Sequence, residues 1–259
     1  MRKQKNKINK KAGIFAAGMV LAMIIFITTA WFAFSTTNKK ISREMLCLSV
    51  LNSYYNEEDR FMLYARESAK IAASQAFYLI AKDAAVNLKE NSCNVRNNYI
   101  IWTESCHPET ESIKEKFLNY YNKTFSELIK NYPNKVQPEY FLLLENDTLI
   151  LMAQPIRFTS EKQETFAKYT INYSFDPSFM LNLPEQKIYL EDFETIYNKI
   201  KACNNNSSCL EDISFEHWET SLEEFATYYL FNLKTKNFYF FQDDTQKYEK
   251  IELGFIIEK

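Results

Sequence analysis

The longest feature of the hydropathy pattern is an uncharged run at positions 13–35, GIFAAGMVLAMIIFITTAWFAFS. As a helix it would be about 34 Å long, enough to cross a hydrocarbon core of about 30 Å. Trp31 and Phe34 lie near one end, where aromatic side chains concentrate at a membrane interface. The run therefore predicts a single-pass transmembrane anchor.

The charges beside this run predict its orientation. Residues 1–12 carry six basic side chains and no acidic one, whereas all 33 acidic side chains follow residue 36. By the positive-inside rule the N-terminus is cytoplasmic and residues 36–259 lie outside the cell membrane. The alternative is a cleaved signal peptide with Thr28 and Ala30 before the cut. We expect a retained anchor, because the apolar run exceeds the 7–15 residues usual in signal peptides.

Helical spacing dominates the next segment, residues 36–92. The polar stretch 35–40 predicts a break, and 41–53 a short helix beside the membrane. Asn56, followed by three acidic residues, has the pattern of a helix N-cap and predicts a long helix from 57 to about 90. One face of that helix carries small side chains, which favours close packing in a core or self-association through the long helix. Its alanines are Ala65, Ala69, Ala72 and Ala76.

From residue 93 onward the periodicity alternates between helix and strand. Helices are predicted over 109–131 and 190–202. Strands are predicted over 99–103, 140–144, 148–153, 166–175, 226–233, 238–241 and 251–257. Strands joined by hairpins, such as the one turning at Asn146 and Asp147, predict an α+β domain in which helices pack on an antiparallel β-sheet. The chain thus divides into a basic tail (1–12), an anchor (13–35), a helical segment (36–92) and an extracytoplasmic domain (93–259).

Five cysteines fit an exported domain. Cys93 with Cys106, and Cys203 with Cys209, are spaced for local disulfides, which persist outside the cytosol. Cys47 is left over as a free thiol, a lipidation site or an intermolecular bridge. The alternative is that all five are ordinary buried or reduced cysteines. Zinc is disfavoured, because there is no C-x-x-C and only two histidines occur.

Glycine is scarce, which excludes several enzyme classes. The chain holds three glycines, whereas average usage of about 7% predicts about 18. The glycine-rich phosphate loops and the G-x-S-x-G nucleophile elbow are therefore absent. Asn, Asp and Pro are left to make the turns. Gly254, in the last predicted strand, is the glycine for which we expect a bulge or a close approach of another group.

No constellation of catalytic residues is found. His107 follows Cys106, which is assigned to a disulfide, and His217 has no second histidine at ligand spacing. The acidic clusters lack the glycine-centred calcium loop. We therefore predict no enzyme activity, no catalytic or metal site and no cofactor.

The charge balance also bears on partners. Residues 36–259 carry 25 basic against 33 acidic side chains, so nucleic acid is not expected as a partner. The expected partners are the lipid bilayer and either another protein or a second copy bound through the long helix. In an exported chain, Asn-x-Ser/Thr sequons are candidate glycosylation sites. They begin at Asn122, Asn146, Asn172, Asn205 and Asn206.

The order of basic leader, apolar helix and sheet-bearing head resembles type IV pilins and pseudopilins. Lys10-Lys11-Ala12-Gly13 resembles their basic-then-small prepilin cleavage site. The resemblance covers about the first 90 residues and implies a subunit that is cleaved after Ala12. Two features depart from it: the apolar run lacks the early glutamate common in pilins, and Asn56 with its acids predicts a break in the helix.

Together these observations predict a single-pass, membrane-anchored extracytoplasmic protein with a non-catalytic structural or interaction role at the cell surface. One alternative is an extracytoplasmic ligand-binding or sensory domain that acts through a partner. Another is a pilin-like subunit.

Overall fold

The computed structural model describes the backbone of residues 3–86, 93–133, 138–164, 167–243 and 245–259. Side chains are described for these residues except 3–21, 38–47, 162–164 and 167–169. Contacts divide the chain into two units. Unit 1 comprises residues 1–57 and 158–173, and unit 2 comprises residues 58–157 and 174–259.

Helices separate groups of consecutive strands along the described chain. The helices are α1 (Lys3–Lys82), α2 (Thr110–Lys130), α3 (Asp192–Ala202) and α4 (Ser207–Glu211). The strands are β1 (Val95–Arg96), β2 (Tyr99–Trp102), β3 (Tyr140–Glu145), β4 (Thr148–Ala153), β5 (Ile156–Glu164), β6 (Ala167–Phe175), β7 (Phe179–Asn182), β8 (Trp218–Glu224), β9 (Tyr228–Thr235), β10 (Tyr239–Gln242), β11 (Gln246–Glu249) and β12 (Glu252–Glu258). The predicted α+β class, with antiparallel sheets and packed helices, is confirmed.

Helix α1 is continuous, so the breaks predicted at 35–40 and at Asn56 were wrong. No proline or glycine lies between residues 19 and 82 to interrupt it. The hydroxyls of Thr36 and Thr37 donate to carbonyls three or four residues earlier, which satisfies these polar side chains within the helix. None of the helices in the described part of the chain has an apolar stretch long enough to cross a membrane.

The end of α1 also differs from expectation, since the helix stops at Lys82 rather than near residue 90. Ala84 and Ala85 adopt positive φ angles of 46° and 56°. This left-handed conformation ends a helix and is usually given to glycine. The indole of Trp102 donates a hydrogen bond to the Ala84 carbonyl at 3.1 Å, which helps to hold the termination in place.

Unit 1 contains the N-terminal part of α1 and most of the β5–β6 hairpin. Strand β6 confirms the prediction made for 166–175, whereas β5 was not predicted. Tyr54 stacks on Phe158 and on Tyr173, with ring centroids 5.2 and 5.8 Å apart. Tyr55 meets Tyr173 edge-on at 5.0 Å. This aromatic cluster holds the hairpin to the helix.

Unit 2 contains a five-stranded sheet in the order β1-β2-β12-β9-β8. All neighbours are antiparallel except β12 and β2, which are parallel. The C-terminal strand therefore lies inside the sheet, between strands that are distant in sequence. Unit 2 also contains a three-stranded antiparallel sheet, β3-β4-β7, and the β10–β11 hairpin.

The core of unit 2 forms where the C-terminal part of α1, helices α2 and α3 and the two sheets meet. Phe77 of α1 contacts the rings of Phe193, Trp218 and Tyr239 with centroids 5.5 to 6.0 Å apart. The buried residues of α2 recur at helical spacing; they are Ile113, Phe117, Tyr121, Phe125 and Ile129. This apolar stripe confirms the helix predicted over 109–131 and shows which face it buries.

Both predicted disulfides are present. Cys93 and Cys106 have Cα atoms 5.5 Å apart, and Cys203 and Cys209 have theirs 5.6 Å apart. The first bridge ties the segment before β1 to the segment before α2. In the chain-entropy view, a bridge that closes a loop of about 15 residues contributes about 3 kcal/mol to folding.

The turns are made without glycine, as the composition predicts. Among the described residues, positive φ angles occur in three Asn/Asp pairs: Asn97-Asn98, Asn146-Asp147 and Asn204-Asn205. The first pair joins β1 to β2 and the second joins β3 to β4. Asn and Asp tolerate this conformation better than other residues with a Cβ atom.

Candidate functional site

The structure places His217 in a hydrogen-bonded cluster beside the start of α3. Its Nδ1 lies 2.9 Å from Asp192 Oδ2, and the Trp218 indole donates to the same oxygen at 2.9 Å. The Tyr189 ring stacks on the imidazole with centroids 3.5 Å apart. The carboxylate of Asp192 thus fixes both rings, and the cluster anchors β8 to α3. A carboxylate–histidine pair such as Asp192–His217 can orient a proton on the other ring nitrogen. Here that nitrogen, Nε2, lies 3.8 Å from the Glu216 carboxylate.

His107 borders an acidic depression of about 650 Å³. The imidazole stacks on Tyr197 at 4.5 Å, and its Nε2 lies 3.8 Å from Glu109. Its Nδ1 is buried without a hydrogen-bond partner among the described residues. Since Cys106 is in a disulfide, the adjacent pair is not a nucleophile and base. Nowhere in the described chain do three acidic, histidine or cysteine side chains group as metal ligands.

Another carboxylate near this depression is structural. Glu194 of α3 accepts hydrogen bonds from the backbone NH and the hydroxyl of Thr110, the first residue of α2. The preceding residue, Glu109, makes no side-chain cap. Glu194 therefore caps α2 from a neighbouring helix. The hydrogen bonds from Thr110 hold the pKa of Glu194 below its usual value.

Gly254 lies where Tyr99 of the neighbouring strand crosses β12. A Cβ atom at this position would lie 2.5 Å from Cε1 of the Tyr99 ring. The close approach expected at Gly254 is thus observed, and its cause is an aromatic ring that covers the glycine. The groove beside it, of about 570 Å³, is edged by two ion pairs, Lys234–Glu252 and Lys250–Glu219.

The alanine face of α1 is fully buried. Ala65, Ala69, Ala72 and Ala76 each have no exposed surface. Self-association through these alanines would require unit 2 to open, so in the folded unit they serve packing. The side chain of Cys47 lies outside the described residues.

The sequon asparagines are all solvent-exposed. Asn146 lies in the turn between β3 and β4, whereas Asn206 caps α4 through its side-chain oxygen. Exposure permits glycosylation, which stays a prediction at every sequon.

One unusual surface was missed from the sequence: an apolar face on the solvent side of the β3-β4-β7 sheet. Cross-strand pairing places Phe141 beside Met152, and Ile150 between Leu143 and Met180. Phe141 is 65% exposed and Met180 is 70% exposed. Leu143 and Met152 are 37% and 41% exposed, so the five side chains form a contiguous, partly exposed apolar surface across the three strands. We call them the apolar face.

The opposite side of the same sheet is also apolar, and it is buried. Leu149 and Leu151 have no exposed surface, and Phe179 and Leu181 are buried beside them. The signal was present in the sequence, because YFLLL and TLILMA are continuous apolar runs rather than alternating ones. Continuous runs are typical of strands that are covered on both faces.

Known proteins give no further assignment. No protein family, curated protein or solved structure was found to match this chain. The function is therefore argued from the surfaces and clusters above.

Proposed function

We propose that this chain is a single-pass, membrane-anchored protein whose region outside the cytoplasm has a non-catalytic structural or interaction role at the cell surface. The observation that carries the proposal is the character of α1 over residues 23–34. Met23, Ile24, Ile25, Phe26 and Ile27 are consecutive and 55 to 74% exposed. Successive helical residues are about 100° apart, so these five side chains surround the helix.

A helix that is apolar on every side is unfavourable in water and suits a bilayer. Trp31, Phe32 and Phe34 continue the exposed apolar surface toward the end of the run. Residues 13–21 of the proposed anchor have side chains outside those described. The proposal therefore rests on the described half of the anchor together with the uncharged sequence of the whole run.

Two further observations support the orientation. The basic N-terminal tail favours a cytoplasmic N-terminus, with residues 36–259 outside. The two disulfides favour the same compartment for unit 2, because disulfides persist outside the reducing cytosol.

Membrane retention after carbonate extraction tests the anchor. Ile24→Lys combined with Ile27→Lys should move the chain from the membrane to the soluble fraction, since each lysine at the centre of a spanning helix costs about 3 kcal/mol. The matched control is Leu48→Lys with Leu63→Lys, which changes two leucines of the same helix that are 65% and 64% exposed. The control should be retained. Full retention of the first variant, or equal release of both, contradicts the anchor.

A pilin-like subunit is a second candidate, and the continuity of α1 favours it. The resemblance implies one unbroken N-terminal helix, and α1 runs through Asn56 without a break. The missing early glutamate remains a departure. Mass spectrometry of the mature N-terminus distinguishes the candidates: a chain that begins at Gly13 supports a pilin-like subunit, an uncleaved tail supports a retained anchor, and a start near Trp31 supports a signal peptide.

A ligand-binding or sensory domain acting through a partner stays a prediction. The groove beside Tyr99 and Gly254 is a described place for a small ligand, but the ion pairs at its edge already satisfy their own charges.

A further inference from the structure

We infer that a groove on the five-stranded sheet binds a neutral saccharide, which gives a ligand class to the interaction role proposed above. The groove has a volume of about 570 Å³ and lies beside Tyr99, over β12, β9 and β8. We call it the Tyr99 groove. Its polar side chains fall into two sets: uncharged ones with unused hydrogen-bonding capacity, and charged ones that are already paired.

The uncharged set forms a row across the sheet. Gly254 of β12 pairs with Asn232 of β9, which pairs with Ser221 of β8, so the three residues lie side by side on one face. The Tyr99 ring and the Asn232 amide oxygen both border Gly254, and the amide oxygen lies 3.3 Å from the position that a Cβ atom would take there. Since Gly254 has no side chain, the row is hollow at this point.

These polar groups have hydrogen-bonding capacity left for a ligand. Within the described part of the chain, the side chains of Tyr99, Ser221 and Asn232 form no hydrogen bond. A phenol, a hydroxyl and an amide can each both donate and accept hydrogen bonds. The hydroxyls of a saccharide also do both, so they complement all three groups.

The charged set selects against a charged ligand. The charged side chains that line the groove are Glu219, Lys234 and Glu252. Lys234 pairs with Glu252 at 2.7 Å, and Glu219 pairs with Lys250 at 2.6 Å. A ligand with a net charge would have to break one of these pairs, whereas a neutral hydroxyl can bond to either partner and leave the pair intact.

The position of the groove in the sheet excludes an extended peptide bound as an added strand. Strand β12 lies between β2 and β9, and β9 lies between β12 and β8, so the backbones of both strands are paired on both sides. Peptide strands add at free sheet edges. Recognition in the Tyr99 groove must therefore come from side chains.

The Tyr99 ring supplies an apolar surface beside these polar groups. The ring is partly exposed, and it packs against a buried cluster formed by Ile101, Tyr228, Leu230 and Ile256. Because this packing already orders the ring, little entropy is lost when a ligand binds. A sugar ring has an apolar face of C–H groups and a rim of hydroxyls, which complements an aromatic surface bordered by hydrogen-bonding groups.

A nucleoside also combines a flat apolar face with hydrogen-bonding groups. The position of unit 2 outside the cytoplasm favours the saccharide, because saccharides coat cell surfaces. This choice between the two ligands rests on the proposed function.

Binding of neutral tetrasaccharides to the full chain tests the inference. The chain is kept in a zwitterionic detergent, because glycoside detergents would compete for the groove. Cellotetraose, chitotetraose and mannotetraose are titrated by ligand-observed nuclear magnetic resonance. At least one should bind with a Kd of about 1 mM, since an open groove buries only part of a ligand.

Variants then locate the site. Asn232→Ala and Tyr99→Leu should each raise the Kd about tenfold, because they remove the central amide and the ring. The matched controls Asn198→Ala and Tyr248→Leu change exposed residues outside the groove and should leave the Kd unchanged. Circular dichroism checks that each variant is folded. If Tyr99→Leu is not, Ser221→Ala replaces it; loss of this one hydroxyl should raise the Kd about threefold.

Three results would overturn the inference. The first is that no tetrasaccharide binds, and the second is that the groove variants bind as tightly as the unchanged chain. The third is that adenosine or the anionic tetragalacturonate binds more tightly than every neutral tetrasaccharide. Carbonate extraction is scored separately, so the two proposals fail separately. A chain released from the membrane overturns the anchor whether or not it binds a saccharide, and a retained chain that binds none overturns the groove alone.

Discussion

Two segments of helix α1, residues 23–34 and 61–81, differ in whether their apolar side chains are exposed or buried. Over residues 23–34 large side chains point outward on every side and remain exposed. Over residues 61–81 one stripe is fully buried, including Phe61, Ala69, Phe77 and Ile80, whereas Leu63 on another side is 64% exposed. The first pattern fits the bilayer proposed above, and the second is that of a helix packed in a protein core. One helix thus carries two kinds of apolar surface.

The largest expected effect comes from removing a disulfide. Both disulfides lie in unit 2, so their removal should affect unit 2 and not the segment 23–34. Replacing Cys93 and Cys106 by serine should lower the free energy of unfolding of unit 2 by about 3 kcal/mol, because the unfolded chain gains entropy. If residues 13–35 form the proposed anchor, membrane retention should not change, since the bridge lies in unit 2. Thermal unfolding in detergent and carbonate extraction measure the two quantities. Loss of retention in this variant would contradict the separation.

A somewhat smaller effect comes from the same substitution made at either end of α1. Ala72→Leu places a larger side chain at a position with no exposed surface and should destabilise unit 2 by about 2 kcal/mol. Ala33→Leu, at an exposed position, should leave unit 2 unchanged. Chemical denaturation followed by near-ultraviolet circular dichroism compares the two variants. Equal stability would show that the alanine stripe is not tightly packed.

An effect of about 1 kcal/mol is expected at Gly254, which is far in sequence from the proposed anchor. Gly254→Ala places a Cβ atom against the Tyr99 ring, which must move. Combining it with Tyr99→Ala removes the clash, so the double variant should be more stable than the sum of the single effects predicts. A double-mutant cycle of unfolding free energies checks this coupling. Simple additivity would mean that the ring already moves freely.

The smallest effect is a pH dependence of unit 2. Hydrogen bonds from Lys82 and Tyr78 lower the pKa of Asp243, and those from Thr110 lower the pKa of Glu194. A lowered pKa in the folded state adds stability that is present above the unfolded value of about 4 and is lost as the pH falls below it. Unfolding of Glu194→Gln should therefore depend less on pH below about 4. An unchanged acid limb in this variant would contradict the role given to Glu194.

Sequence patterns predicted most of unit 2, because its helices and hairpins carry regular periodicities. The α2 stripe, the β3–β4 hairpin and both disulfides followed from the spacing of residues. Strand β8 was missed because its sequence, WETSLEE, is acidic and has little β-propensity; pairing with β9 determines it. The parallel pairing of β12 with β2 joins distant segments and has no local signal.

The break expected in α1 was wrong for a different reason. Asn56 and its three acidic neighbours fit a helix start, yet capping preferences are worth only about 1 kcal/mol. Tertiary packing around Phe61 and the absence of proline and glycine outweigh that preference. The apolar face shows the opposite case. Its continuous apolar runs are visible in the sequence, but only the structure shows that no part of the described chain covers this side of the β3-β4-β7 sheet.

The central claim is that the two ends of α1 lie in different solvents, and thiol labelling tests it most directly. In a Cys47→Ser background, single cysteines replace Ile25 and Leu63, which are 55% and 64% exposed on the same helix. A membrane-impermeant maleimide is added to intact cells. The account predicts rapid labelling at position 63 and protection at position 25 until detergent is added. Equal labelling of both positions in intact cells would contradict it.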